Sequence, residues 1–204
     1  MINTQTQEKS ASPPVVSLHE KAEDNLQYIR ASMEAATAFT GVSGKGYVLA
    51  GLSALIAAWL AEQQASSALW LAVWMVELFF AMSTMLYLTA AKARSQGGSL
   101  WSASGKKLLL AFFPAMAVGA VLTLTFFLQD YTSWLPGIWL SLYGAAVMTA
   151  GAYSVAVIPI MGGLFLLTGS AVLLTTMPGN LLLGLTMGGL HIVFGAIIWR
   201  NYGG

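Results

Sequence analysis

Six stretches of this chain are apolar over close to the roughly 20 residues a helix needs to cross a bilayer core about 30 Å thick. They run from about Tyr47 to Ala61, Ala68 to Ala90, Leu108 to Leu128, Trp134 to Tyr153, Val157 to Met177 and Leu181 to Trp199. Hydrocarbon offers no water to a backbone N–H or C=O, so each segment has to pair its own donors and acceptors, and a helix does so unaided. The sequence therefore predicts an all-α integral membrane protein with six transmembrane helices. Composition agrees: 57% of the 204 residues are hydrophobic and 8% are charged, where about a quarter of a soluble domain is charged. The first stretch is short for a full crossing. Between the fourth and fifth, AYSVAVIPI holds almost no polar loop, yet Pro159 suits the first turn of a new helix, where its missing N–H is harmless. Five spans, one of them long and broken, is the alternative.

Six spans place both termini on one side, and the cations follow them. Lys45 precedes the first span, Lys92, Arg94, Lys106 and Lys107 lie between the second and third, and Arg200 follows the sixth. The opposite loops hold Glu62 and Asp130 and no cation. Positive charge is retained on the cytoplasmic side, so the prediction is N-in and C-in, in a bacterial inner membrane. Trp59, Trp70, Tyr131 and Trp134 then fall near the outer boundary, and Tyr47, Trp101, Trp199 and Tyr202 near the inner one, where amphipathic rings prefer to sit. A net charge of +1 gives no field to attract nucleic acid, which is not an expected partner.

Ahead of the spans, residues 1–16 are polar and contain Ser and Pro, and they read as a disordered tail. Residues 17–40 read as a cytoplasmic amphipathic helix. Ser17-x-x-Glu20 has the form of a capping box, and Leu18, Ala22, Leu26, Ile29, Met33, Ala36 and Phe39 recur at helical spacing. The polar face is net acidic, with Glu20, Glu23, Asp24 and Glu34 against Lys21 and Arg30. A helix lying on an anionic leaflet normally carries Lys and Arg there, so this one is expected to dock on protein, either its own bundle or a partner. Residues 41–46 read as a Gly-rich joint. They do not form a phosphate-binding loop, because Phe39 stands where the first glycine is required and Gly46 where Ser or Thr is required.

Two titratable groups lie deep in the spans. Glu77, in WMVELFFAM, falls roughly 12 Å below the outer boundary, and His191, in MGGLHIVFG, roughly 15 Å below it. Their spans run in the same direction, so they share a depth at which a contact is permitted. An acid there is either a neutral carboxyl held by a hydrogen bond, since desolvation favours its protonated form, or a proton, cation or ligand site. Haem with internal bis-His ligation is excluded, because His19, the one other histidine, lies outside the spans. No cofactor or metal is predicted. With no cysteine, no H-E-x-x-H and no close carboxylate pair in the spans, the enzyme class is the least favoured; Ser170, which could be set beside His191, lacks the second glycine of a G-x-S-G pattern.

Small residues mark the expected packing faces. MGGL-x4-G occurs twice and places Gly162 and Gly169, then Gly188 and Gly195, on single helix faces, which predicts a tight antiparallel hairpin of the last two spans. Ala50, Ala54 and Ala58 give the first span a similar face, and Pro114 is expected to kink the third and free the carbonyl of Leu110. Six short spans with an AxxxA-type first face resemble the substrate-binding subunits of energy-coupling-factor vitamin transporters, and the small-residue hairpin resembles the six-span acid-resistance membrane proteins. The short outer loops depart from the vitamin binders, whose ligand pocket those loops close, and no residue is carried over from either family. The functional expectation is a non-enzymatic accessory or regulatory subunit in the lipid bilayer. It would meet a protein partner, or a second copy of itself, through the amphipathic helix and the basic loop Lys92 to Lys107. The alternative is a small-solute or proton-coupled transporter using Glu77 with His191.

Overall fold

A computed structural model describes residues 18–36 and 38–203. The polar tail and Ser17 of the capping box lie outside the described residues. Seven α-helices follow in order: α1 (Leu18–Ala36), α2 (Gly44–Glu62), α3 (Ser67–Ser95), α4 (Ala103–Leu128), α5 (Leu135–Gly151), α6 (Val157–Leu174) and α7 (Gly179–Tyr202), with a 3-10 turn (Thr132–Trp134) before α5. The chain divides into two compact units, Met1–Ala35 and Ala36–Gly204. The helix expected over residues 17–40 is α1 only as far as Ala36: Phe39, counted in its apolar stripe, lies outside the helix and belongs to the second unit.

The second unit is an all-α bundle. Among the described residues, α2, α3, α4, α6 and α7 are long and apolar enough to cross a membrane. The fourth predicted span, α5, has 17 residues and is therefore about 26 Å long. The turn between α5 and α6 is real: Tyr153 N donates to Ala150 O (3.0 Å), Ser154 N to Gly151 O (3.0 Å) and Ile158 N to Val155 O (3.0 Å). Pro159 stands in the first turn of α6, where its lack of an N–H leaves nothing unpaired. Serine starts the first three helices of this unit, with the hydroxyls of Ser43, Ser66 and Ser102 accepting from Gly46 N, Leu69 N and Gly105 N. Helix α2 consequently begins at Gly44, so part of the predicted joint is its first turn.

The predicted hairpin of the last two spans is not how the repeated glycines are used. Helix α6 packs along α5 and α7 packs along α2, whereas α6 and α7 meet only lightly. A Cβ on Gly162 would lie 2.5 Å from Met148 N and 2.8 Å from Gly144 O of α5, and one on Gly169 would meet Ser141 N. In the other pair, a Cβ on Gly195 would lie 2.8 Å from Val48 N of α2, and one on Gly188 would strike the side chain of Leu55. Each copy of the motif thus lets a different backbone approach. Glycine spacing says that something comes close, and nothing in it says what. The alanine face of α2 is likewise divided: Ala58 abuts Gly184, while Ala50 and Ala54 turn toward a cavity.

Two helices flank these pairs, α3 against α2 and α4 against α5. On α4, Gly119 leaves room for the ring of Trp139, whose indole N–H donates to Thr123 Oγ1 (2.9 Å). Near Pro114, the hydroxyl of Thr149 on α5 reaches Ala111 O (3.1 Å), one residue along from the carbonyl expected to need a donor. Although consecutive, α3 and α4 make almost no close contact with each other. Going round the unit, the order is α3, α2, α7, α5 and α4, with α6 behind α5 and α7 and with α4 and α3 not closely packed.

Candidate functional site

The helices enclose a cavity of about 270 Å³. Its lining runs along α3 from Trp70 to Thr89, roughly 28 Å of helix. Helices α2, α4, α5 and α7 supply the other walls, and α6 adds only Ile158. On the side between α3 and α4 its lining is partly exposed. Leu78, Met82 and Leu86, one above another on α3, line the cavity and are still 37, 39 and 41% exposed, while Leu109, Phe112 and Met116 of α4 line the opposite wall. These residues form the rim of a slit that faces whatever surrounds the bundle.

Both ends are held by hydrogen bonds. At the Trp70 end, Asn180 in the first turn of α7 accepts from the indole N–H groups of Trp70 (2.8 Å) and Trp74 (3.3 Å), and its amide donates to Glu62 at the end of α2. Trp70 is therefore a wall of the cavity rather than a free interfacial ring. At the other end, residues 38–43 lie across the bundle as a strap. Phe39 is 5% exposed; its N–H donates to Tyr153 O (2.8 Å) and its carbonyl accepts from the Ser154 hydroxyl (2.7 Å). Ser43 N donates to Thr89 Oγ1 (3.3 Å). Lys92 completes the fastening, donating to Val42 O (2.9 Å) and Gly203 O (2.6 Å). Lys92, counted with the basic loop in the sequence, is 6% exposed and turned inward, so that surface is left with Arg94, Lys106 and Lys107.

Glu77 and His191 both line this cavity, and the structure gives them separate partners. Glu77 Oε1 accepts from Ser53 Oγ (2.8 Å), and that hydroxyl also stands 3.0 Å from Ala50 O. One serine proton serves one of these acceptors at a time. The second oxygen of Glu77 has no hydrogen-bond partner among the described residues. His191 Nδ1 lies 2.6 Å from Met187 O, which can only accept, so Nδ1 carries a proton, and in the neutral ring Nε2 then accepts from the Tyr143 hydroxyl (2.7 Å). Tyr47 stacks on the imidazole at 5.4 Å and Phe165 meets it edge-on at 5.3 Å. This is a satisfied, packed histidine. A direct relay between it and Glu77 has no hydrogen bond to run through, and a ligand role at Nε2 would displace Tyr143.

Tyr47, read as an inner-boundary ring, is 7% exposed and belongs to the cavity wall; its hydroxyl has no hydrogen-bond partner among the described residues. Ser53, Tyr143 and Asn180 went unnoticed in the sequence because a hydroxyl or amide inside an apolar run carries no spacing signal. Among the described residues no three His, Cys, Asp or Glu side chains gather to hold a metal ion. No family model, curated protein or solved structure matches the chain.

Proposed function

We propose that this protein is a non-enzymatic membrane-embedded binding protein whose central cavity takes an apolar small molecule from the bilayer through the slit between α3 and α4. The observation that carries the reading is the cavity itself: walls from five helices, almost wholly apolar, with a few convergent polar groups and a lateral opening, which is the usual make-up of a small-molecule site. The placement of Lys and Arg supports six spans, α2 to α7, with both termini cytoplasmic and the strap at the cytoplasmic end. Transport of the bound molecule would require the two hydrogen-bonded ends to open in turn.

Titration of the purified protein with a neutral brominated alkane tests the reading, because Trp70, Trp74 and Trp139 line the cavity and bromine quenches indole fluorescence. The expected result is saturable quenching that Ala54→Phe, which narrows the cavity, weakens. Quenching that never saturates, and is the same in Ala54→Phe, contradicts it. A second role is favoured by the net acidic polar face of α1, which suits a protein partner better than an anionic leaflet. Loss of a co-purifying partner on deletion of residues 1–40 is the outcome that role requires, and an unchanged partner set counts against it.

A further inference from the structure

We propose that the molecule received by the cavity is a lipophilic organic cation, an amine or onium compound whose charge is met by Glu77. The inference rests on the cavity reading above and adds the chemistry of the occupant. Among the lining residues Glu77 is the one acid, and no Lys or Arg is present. The imidazole of His191 is engaged at both nitrogens, by Met187 O and by Tyr143, and as the neutral tautomer it adds no positive charge to the cavity. A fatty acid or other lipophilic anion would thus meet an acid and no counter-charge.

The walls fit the same class. Tyr47, Trp70, Trp74, Phe112, Trp139 and Tyr143 present aromatic rings to the cavity. The negative face of an aromatic ring attracts a cation, and the attraction is largest where water is excluded. A hydrophobic body with one positive charge satisfies both surfaces, rings around the body and carboxylate at the charge. Two polar atoms on the lining residues are available to it. The second oxygen of Glu77 lacks a partner among the described residues, and so does the hydroxyl of Tyr47, a residue more than nine-tenths buried. Among the described residues Ser53 is the one side chain hydrogen-bonded to Glu77, and it can donate to the carboxylate while the free oxygen meets the cation. The cation has a route that avoids water, since the slit between α3 and α4 is lined by Leu, Met and Phe.

Calorimetric titration of the full chain in a neutral detergent with tetraphenylphosphonium, tetraphenylborate and neutral triphenylphosphine separates the possibilities, because the two ions share a shape and differ in charge. The cation is expected to bind at least about tenfold more tightly than the anion, a difference a desolvated counter-charge and ring faces readily supply. Glu77→Gln should remove that preference while triphenylphosphine still binds saturably, which also shows that the variant is folded; Glu77→Asp should retain the preference. If triphenylphosphine binds but the cation shows no advantage, or keeps it in Glu77→Gln, the cation assignment is overturned and the cavity reading stands. If none of the three binds saturably, the cavity reading itself is overturned.

Discussion

Alanine at Gly162 is expected to destabilise the protein by about 1–3 kcal/mol, the usual range for overpacking a tight interface, while alanine at the adjacent Gly163 is expected to be neutral or mildly stabilising. The two positions have the same residue on the same helix and differ in what a methyl group would meet. At Gly162 the obstacles are Met148 N and Gly144 O, backbone atoms of α5 that move only if the helix moves. At Gly163 the nearest atom is the flexible sulfur of Met148, at 3.9 Å. The second motif copy repeats the contrast with a softer obstacle. Gly188 faces the side chain of Leu55 at 2.4 Å, with the backbone oxygen of Gly51 farther off at 3.1 Å, and Gly189 has nothing within 4 Å. The predicted order of unfolding temperatures in one detergent is therefore Gly162→Ala lowest, Gly188→Ala intermediate, and Gly163→Ala and Gly189→Ala at or above the parent. Equal losses at Gly162 and Gly163 would mean that α6 does not lie against α5 as described.

Replacing Lys92 by methionine should release the strap. The long apolar stem is retained, but the ammonium donors to Val42 O and Gly203 O are lost, and an unsatisfied buried acceptor costs about 1–3 kcal/mol. Since the chain has no cysteine, Val42→Cys introduces a single thiol at a position 5% exposed. A water-soluble maleimide should label it slowly in the parent. Labelling should rise on the order of thirtyfold when Lys92→Met is added, the equivalent of about 2 kcal/mol in the opening equilibrium. A labelling rate indifferent to Lys92 would show that the hydroxyl contacts of Ser154 and Thr89 hold the strap without it. Ser154→Ala should give a smaller rise, because it removes one neutral donor, that to Phe39 O, and leaves the Tyr153 bond in place.

The sequence carried the helical architecture because hydrocarbon leaves apolar runs no other way to pair their backbones. It also carried the division at Pro159, since proline is tolerated in a first turn and not in the middle of a helix. The partnerships were less legible. Gly162 and Gly188 sit in the same four-residue word, MGGL, and face different helices, because the word encodes closeness and the choice of neighbour is made by the whole bundle. Glu77 and His191 were visible as polar groups at one depth, and they do line one cavity. Their partners, Ser53 and Tyr143, depended on helix rotation and order, which periodicity over a nearly uniform apolar surface does not fix. Lys92 misled in the opposite direction. Charge placement read it with its neighbours as cytoplasmic surface, and the fold uses it as an internal clasp.

Whether molecules dissolved in the bilayer reach the interior of the bundle decides the account. The direct measurement is photolabelling of the reconstituted protein with a small neutral aryl diazirine carried in the vesicle membrane, with adducts located by mass spectrometry. The account predicts adducts on interior residues such as Met85, Met116 and Met187, suppressed by an unlabelled apolar competitor, together with non-competed adducts on the outer face at Val76, Phe79 and Leu110. Adducts confined to the outer face, with the three methionines unlabelled at every concentration, would contradict it.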